Sequence, residues 1–223
     1  MKKWIFACAC LLRIICLSYL SGKDVRTFMM QIEPVTLTGN VVRLEPLQLS
    51  HAEDLLEAAQ EPDTWWYMAF NPSTSLQAMR QWIDEAAQLQ QSGSVLPFAI
   101  VDQRSGRAIG STRYLAIMPK DYGLEIGWTW IAPAARRTGI NTECKYLLLR
   151  HAFEQLHAIR VQLKTDSRNL RSQRAIERIG GVKEGVLRNH MIMLDGYYRH
   201  SVFYSIINTE WEQVKADLEE KIR

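Results

Sequence analysis

Cysteine is almost missing from the body of this 223-residue chain. Cys8, Cys10 and Cys16 crowd the N-terminal stretch, and Cys144 stands alone after them. That spacing excludes a disulfide framework and a thiolate metal site, and it points to a reducing, cytoplasmic setting. His51, His151, His157, His190 and His200 fall on separate elements without ligand spacing, so no metal is expected. A dominant charge is lacking too: 27 basic against 24 acidic residues leave a formal +3, too little to argue for nucleic acid. No internal repeat or low-complexity tract appears, which excludes solenoids and disordered arrays. No acidic run marks a polyamine groove.

The longest apolar run, Trp4 to Leu20, is broken by Arg13. It is short for a membrane span, and a central Arg is costly there. Lys2 and Lys3 give it the outline of a signal peptide, but Arg13 splits the apolar region and no Ala-x-Ala-like cleavage site follows. Residues 1–30 therefore read as an apolar extension outside the fold. A membrane-associating helix and true export are the alternatives, and membrane association is not expected.

What remains is enough for one domain of roughly 190 residues. Val41 to Leu47 alternates as an edge strand. Ser50 with Glu53 forms a capping-box pattern for a helix to about Gln60. Glu61 to Ser75 is a loop holding Trp65, Trp66, Tyr67 and Phe70, a cluster that could line a core or meet a ligand. A helix over about Leu76 to Gln91 ends at Gly93. Strands follow at Val95 to Asp102, Ala108 to Ile117 and Tyr122 to Ile131, then a turn and a helix of about four turns with a stripe at Leu149, Ala152, Phe153 and Leu156. Val161 to Thr165 is a strand, Asn169 to Ile179 a helix stopped by Gly180-Gly181, and Val182 to Met193 with His200 to Ile207 a hairpin around Asp195-Gly196. An amphipathic helix, Glu210 to Ile222, closes the chain. Antiparallel strands followed by a helical crossover predict a mixed α/β sheet.

The turn after Ile131 carries the chemistry. A strand running into a helix N-terminus forms an anion site, because the backbone N–H groups there are free and the dipole favours negative charge. The turn reads Arg136-Arg137-Thr138-Gly139-Ile140-Asn141. Gly139 permits close approach of a phosphate or a positive φ, and Arg136 and Arg137 add cations. It holds no P-loop lysine and only one of the three glycines of a dinucleotide fingerprint. An ordinary capped turn with surface arginines would also fit these residues.

The segment resembles the acyl-CoA loop of the GCN5-related N-acetyltransferases, Arg/Gln-x-x-Gly-x-Gly/Ala, with Asn141 at the last position. Glu125-Ile-Gly-Trp128 and Asn169-x-x-Ser172 … Glu177-Arg-Ile-Gly180 extend the resemblance, with Gly181 where Phe is usual, and the order of elements is similar over about 38–210. Together they look most like the branch of ribosomal-protein N-terminal acetyltransferases. The resemblance implies a mixed, mostly antiparallel twisted sheet of about seven strands flanked by helices, with 210–223 as a C-terminal helix. It implies acetyl-CoA as cosubstrate and no metal, with CoA between the strand ending at Ile131 and the strand Val161 to Thr165, and its pyrophosphate on the N–H groups of about Arg137 to Asn141. The acceptor is then a primary amine, on a peptide N-terminus or a small molecule, and the oligomeric state stays open between monomer and homodimer.

Two residues are candidates for proton transfer. Glu125 is expected to share a strand face with Gly127, Thr129 and Ile131 among apolar neighbours, as the general base; a Glu paired with an arginine at a sheet surface is the alternative. Ser172 shares an inward face with Ala175, Ile176 and Ile179, as the acid to the CoA thiolate, or else as a Ser bonded to the preceding carbonyl. Asn169 is an N-cap, a ligand of the pantetheine arm, or both. A domain that binds acyl-CoA without transferring it is the alternative function.

Overall fold

The computed structural model describes residues 29–223, so the expectations for residues 1–28 lie outside the described residues. Eight strands form one sheet in the order β1-β2-β3-β4-β5-β6-β8-β7. They are β1 (Leu37–Thr38), β2 (Val42–Pro46), β3 (Leu96–Asp102), β4 (Ala108–Met118), β5 (Gly123–Ile131), β6 (Arg160–Asp166), β7 (Val182–Ile192) and β8 (Tyr198–Ile207). The helices are α1 (Ala52–Ala58), α2 (Leu76–Gln91), α3 (Ile140–Arg150), α4 (Leu170–Arg178) and α5 (Trp211–Ile222). The sheet exceeds the expected seven strands by the two-residue β1, too short to show a period in the sequence. Because β1 caps the sheet edge, β2 pairs on both sides instead of forming the edge.

Only β5 and β6 run parallel; every other neighbouring pair is antiparallel. Their pairing covers just Gly123 to Glu125 against Arg160 to Gln162. Beyond that point the two strands part, and the crossover through α3 leaves from the open end of β5.

The two faces bury separate cores. Leu44, Phe98, Tyr114, Leu124, Ile126, Leu147, Leu148, Val161, Tyr204 and Leu218 pack one face against α3 and α5. Ala52, Leu55, Trp65, Met79, Ile83, Ala99 and Trp130 pack the other against α1 and α2. Strand β3 feeds both by alternation, and all but its last residue is buried. Met30 is also buried, and its N–H donates to the Pro119 carbonyl at 3.1 Å, so packed structure reaches back to the end of the N-terminal stretch.

Local sequence signals hold at some elements and yield to tertiary context at others. Helix α2 has the expected bounds, capped by Ser75 accepting from Ala78 N–H and ended by Gly93 at φ +73. Ser50 does not cap α1. A 3-10 turn, Leu49–His51, absorbs it, and the Gln48 N–H is taken by His51 Nδ1 at 3.1 Å. Both glycines after α4 are required by space: a Cβ on Gly180 would meet Val214, and one on Gly181 would press on Ile176. That packing leaves no place for the bulky residue usual at the second position. Among the described residues no helix is long and apolar enough to cross a membrane.

Candidate active site

The turn Ala132–Gly139 is shaped by backbone conformations that few residues adopt freely. Pro133–Ala135 forms a 3-10 turn, Arg137 sits at φ +64, and Gly139 at φ +81 is the N-cap of α3. A Cβ on Gly139 would meet nothing within 4 Å, so glycine is needed there for its dihedral and not for space. The N–H groups of Arg137, Thr138, Gly139, Ile140, Asn141 and Thr142 donate to no group among the described residues; the first amide of the helix to find a partner is Glu143, on Gly139 O. Six consecutive free donors at a helix start, partly in left-handed conformation, form a nest for an anion. The residues thus fit the diphosphate of an acyl-CoA.

The nest is held from two directions. Glu143, 2 % exposed, accepts the N–H groups of Asn40, Val41 and Val42 at 2.6–2.9 Å, which joins the first turn of α3 to the β1–β2 turn. Gly39 leaves room for that carboxylate: its Cβ would lie 2.5 Å from Glu143 Cδ. Arg178 of α4 donates to Thr142 Oγ1 at 3.0 Å.

Arg136 departs from expectation. Its guanidinium is not offered to an anion: Nε donates to Ile131 O, Nη1 to Asp63 and Nη2 to Thr64 Oγ1. Arg136 thus ties the turn to the aromatic loop, and its hydrogen bond holds the Asp63 carboxyl below the usual range. Arg137 is exposed and stays available as a cation. Thr138 bonds back to Ala135 O at 2.6 Å, Ile140 is buried under the turn, and Asn141 is half-buried with no side-chain partner.

A bulge in β5 rearranges the expected faces. The register with β4 passes from Ser111–Trp130 to Arg113–Gly127, so Trp128 and Thr129 together oppose Thr112, and Trp128 takes φ +51. One extra residue reverses the alternation. Thr129 and Ile131 therefore turn toward α3, away from Glu125, and Trp128 joins the Glu125 face. Thr129 Oγ1 is pinned there by Thr112 Oγ1 at 2.8 Å and by buried Lys145 Nζ at 2.5 Å. The bulge and the splay from β6 share one stretch of strand.

Glu125 is 1 % exposed, but its neighbours are polar, not apolar, because β6 brings Gln162 level with it. Oε2 accepts from Gln162 Nε2 at 2.8 Å and from Lys164 Nζ at 3.0 Å; Oε1 is buried without a partner. The partner is a lysine in the interior, not an arginine at the surface. Ser172 is half-buried on the first turn of α4, its N–H taken by Asn169 Oδ1 at 3.0 Å, and its hydroxyl bonds to no group among the described residues. Asn169 is thus the N-cap of α4. Of the aromatic loop, Trp65 is core and donates to Ala59 O, Phe70 stacks between Trp82 and Trp128, and Trp66 is 68 % exposed. Among the described residues no group of three or more His, Cys, Asp or Glu could hold a metal.

Sequence reasoning missed three buried basic residues, Arg113, Lys145 and Arg199. The alternation of β4 and β8 would have placed Arg113 and Arg199 on the Glu125 face, had the bulge been located.

Comparison with known proteins agrees with this geometry. Residues 42–182 match the family described as the acetyltransferase (GNAT) domain. A Bacillus subtilis (strain 168) protein named "Putative ribosomal N-acetyltransferase YdaF" is 30% identical over 77% of this chain and 92% of its own length. The crystal structure of a GCN5-related N-acetyltransferase from Brucella melitensis superposes with a TM-score of 0.82 at 27% identity, covering 89% of this chain and 91% of that one. An acetyltransferase structure from T. thermophilus gives 0.78 at 37% identity, over 87% and 100%.

Proposed function

The chain belongs to the GNAT acetyltransferase family and is an acyltransferase, and from that premise we propose that it moves an acetyl group from acetyl-CoA to a primary amine, directly, in a ternary complex. The observation that carries the reading is the row of six free N–H groups from Arg137 to Thr142, set where β5 and β6 part. The nest takes the diphosphate, and the unpaired edges of β5 and β6 take the pantetheine arm and aim at the thioester oxygen. Free and buried donors cost no reorganisation when charge develops beside them.

The acceptor enters from the face bearing Glu125. Its nitrogen attacks the thioester carbon, the C–S bond breaks, Glu125 takes the amine proton on Oε1, and the thiolate leaves with the proton of the Ser172 hydroxyl. Both atoms assigned to proton transfer are those without a partner in the protein. Gln162 and Lys164 fix Glu125 through its other oxygen, which leaves the free one aimed. The buried thiol of Cys144, pushed up to about 11 by burial, is protonated at neutral pH and has no part as a nucleophile. The cysteine usage supports a cytoplasmic location, and the acceptor is a peptide N-terminus or a small amine.

Incubation with acetyl-CoA, peptides and small amines should yield a product heavier by one acetyl group in mass spectrometry. Acetyl-CoA at about 100 times its dissociation constant should stabilise the fold by about 2.7 kcal/mol. Gly139→Val should remove that gain, since a β-branched residue resists φ +81. An unshifted melting temperature in millimolar acetyl-CoA, with no acetylated product, overturns the reading.

A further inference from the structure

The sheet face that carries Glu125 holds polar atoms it does not satisfy. Strand registers bring Arg113 opposite Gly127, two residues from Glu125; Glu125 lies level with Gln162, and Ser201 and Arg199 follow Phe203 by twos along β8. Glu125, Arg113 and Arg199 are 1 %, 2 % and 7 % exposed. Each has buried atoms without a partner: Glu125 Oε1, Arg113 Nε and Nη2, and Arg199 Nε.

The two arginines are unlike the other cations of this face. Lys164 is paired with Glu125, and Arg168 with Asp166. Arg113 and Arg199 have no ion-pair partner among the described residues, so two buried positive charges are left over. Arg113 lies between the rings of Trp82 and Trp128, at 5.3 and 4.3 Å. Stacking places charge against the π faces, but guanidinium N–H bonds lie in the plane and point past the rings. The edge left bare is Nε with Nη2, a fork that accepts a carboxylate through two parallel bonds. Burial draws Arg113 down to about 10. A cation under such a penalty is retained when something charged arrives to meet it.

We propose that Arg113 and Arg199 receive a carboxylate borne by the acceptor itself, so that the substrates are amines with a carboxylate within one residue of the reacting nitrogen. The inference rests on the acetyltransferase reading. The free oxygen of Glu125 takes the amine end, and the guanidinium edges take the acid end. Tyr67 and Phe70 lie over this place, since the Tyr67 carbonyl accepts from Arg199 Nη1 at 3.3 Å and Phe70 stacks on Trp128 at 4.6 Å. Their loop lifts to admit the acceptor. A polycation such as spermidine meets the same two charges and is repelled.

The test compares matched pairs with the full chain and acetyl-CoA: free alanine against alaninamide, an N-terminal aspartyl tripeptide against its asparaginyl counterpart, and spermidine. The carboxylate member should have a kcat/KM about ten- to a hundredfold higher, the worth of hydrogen bonds to a charged group. The first pair reads a free amino acid and the second an acidic peptide N-terminus. Arg113→Gln should bring the favoured pair to equality and leave acetyl-CoA binding, read by calorimetry, unchanged; Arg113→Lys should restore part of the preference, and Arg199→Gln should lower it without abolishing it. If an Arg113 variant fails to fold, the wild-type ratios and Arg199→Gln decide. Equal rates within both pairs, or spermidine as the best acceptor, overturn the proposal while leaving the acetyltransferase intact. Absence of both acetyl-CoA binding and product overturns the two together.

Discussion

The two faces of the sheet solve the problem of buried polar groups in opposite ways. Toward α3 and α5, even the polar atoms under the core are matched. The Tyr114 hydroxyl donates to Leu148 O at 2.7 Å and meets His151 Nδ1 at 3.1 Å, and Glu143 accepts three amides. On the other face, Glu125, Arg113 and Arg199 leave atoms unmatched at similar burial. A buried unmatched atom costs about 1–3 kcal/mol. The first face is arranged for stability, and the second gives up part of that stability to hold groups ready for a visitor.

Four experiments break or sharpen this contrast. Glu125→Gln should lower turnover by about 10²- to 10⁴-fold with little change in acetyl-CoA affinity, because the free oxygen is proposed to take a proton only in the transition state. Steady-state kinetics with calorimetry checks it, and wild-type turnover would move the base elsewhere.

Leu148→Ala, on the matched face, should do the reverse. It deletes a side chain with 0 % exposure and should cost about 2–5 kcal/mol in denaturant unfolding, while molecules that remain folded keep their kcat.

The third experiment uses acid. Burial pushes His151 from 6.5 down to about 4, so the folded state favours the neutral ring. Its contribution is fully present above pH 6.5 and is lost as pH falls from there toward 4, about 3 kcal/mol in all. Unfolding free energies measured across that window should show the decline, and His151→Asn should flatten it.

Ser172→Ala should have the smallest effect, about tenfold or less in turnover, because water can reprotonate a thiolate in its place. An effect equal to that of Glu125→Gln would give the serine a larger part.

Elements governed by neighbours in the chain were legible in the sequence. Helix α2 has its period, Ser75 and Gly93 within one stretch, and Asp195-Gly196 declares its hairpin. The anion nest was legible for the same reason, since the strand, Gly139 and the helix start are contiguous. What escaped depends on partners far along the chain. The bulge at Trp128 exists only in register with β4, and it turned Thr129 and Ile131 to the opposite face. The surroundings of Glu125 were misread because Gln162 and Lys164 arrive from β6. Arg136, assigned to an anion by its position, was claimed by Asp63, 73 residues earlier.

The Glu143 clamp has a kinetic consequence. Its three bonds join residues 101 to 103 positions apart, between the first turn of the domain and the first turn of α3. Closing so long a loop is slow, and local hairpins and helices form before it. The nest is therefore oriented late, after the folding barrier has been crossed. Acetyl-CoA should then slow unfolding and leave the refolding rate as it is. In a stopped-flow chevron the unfolding arm would drop in the presence of the ligand while the folding arm stays in place.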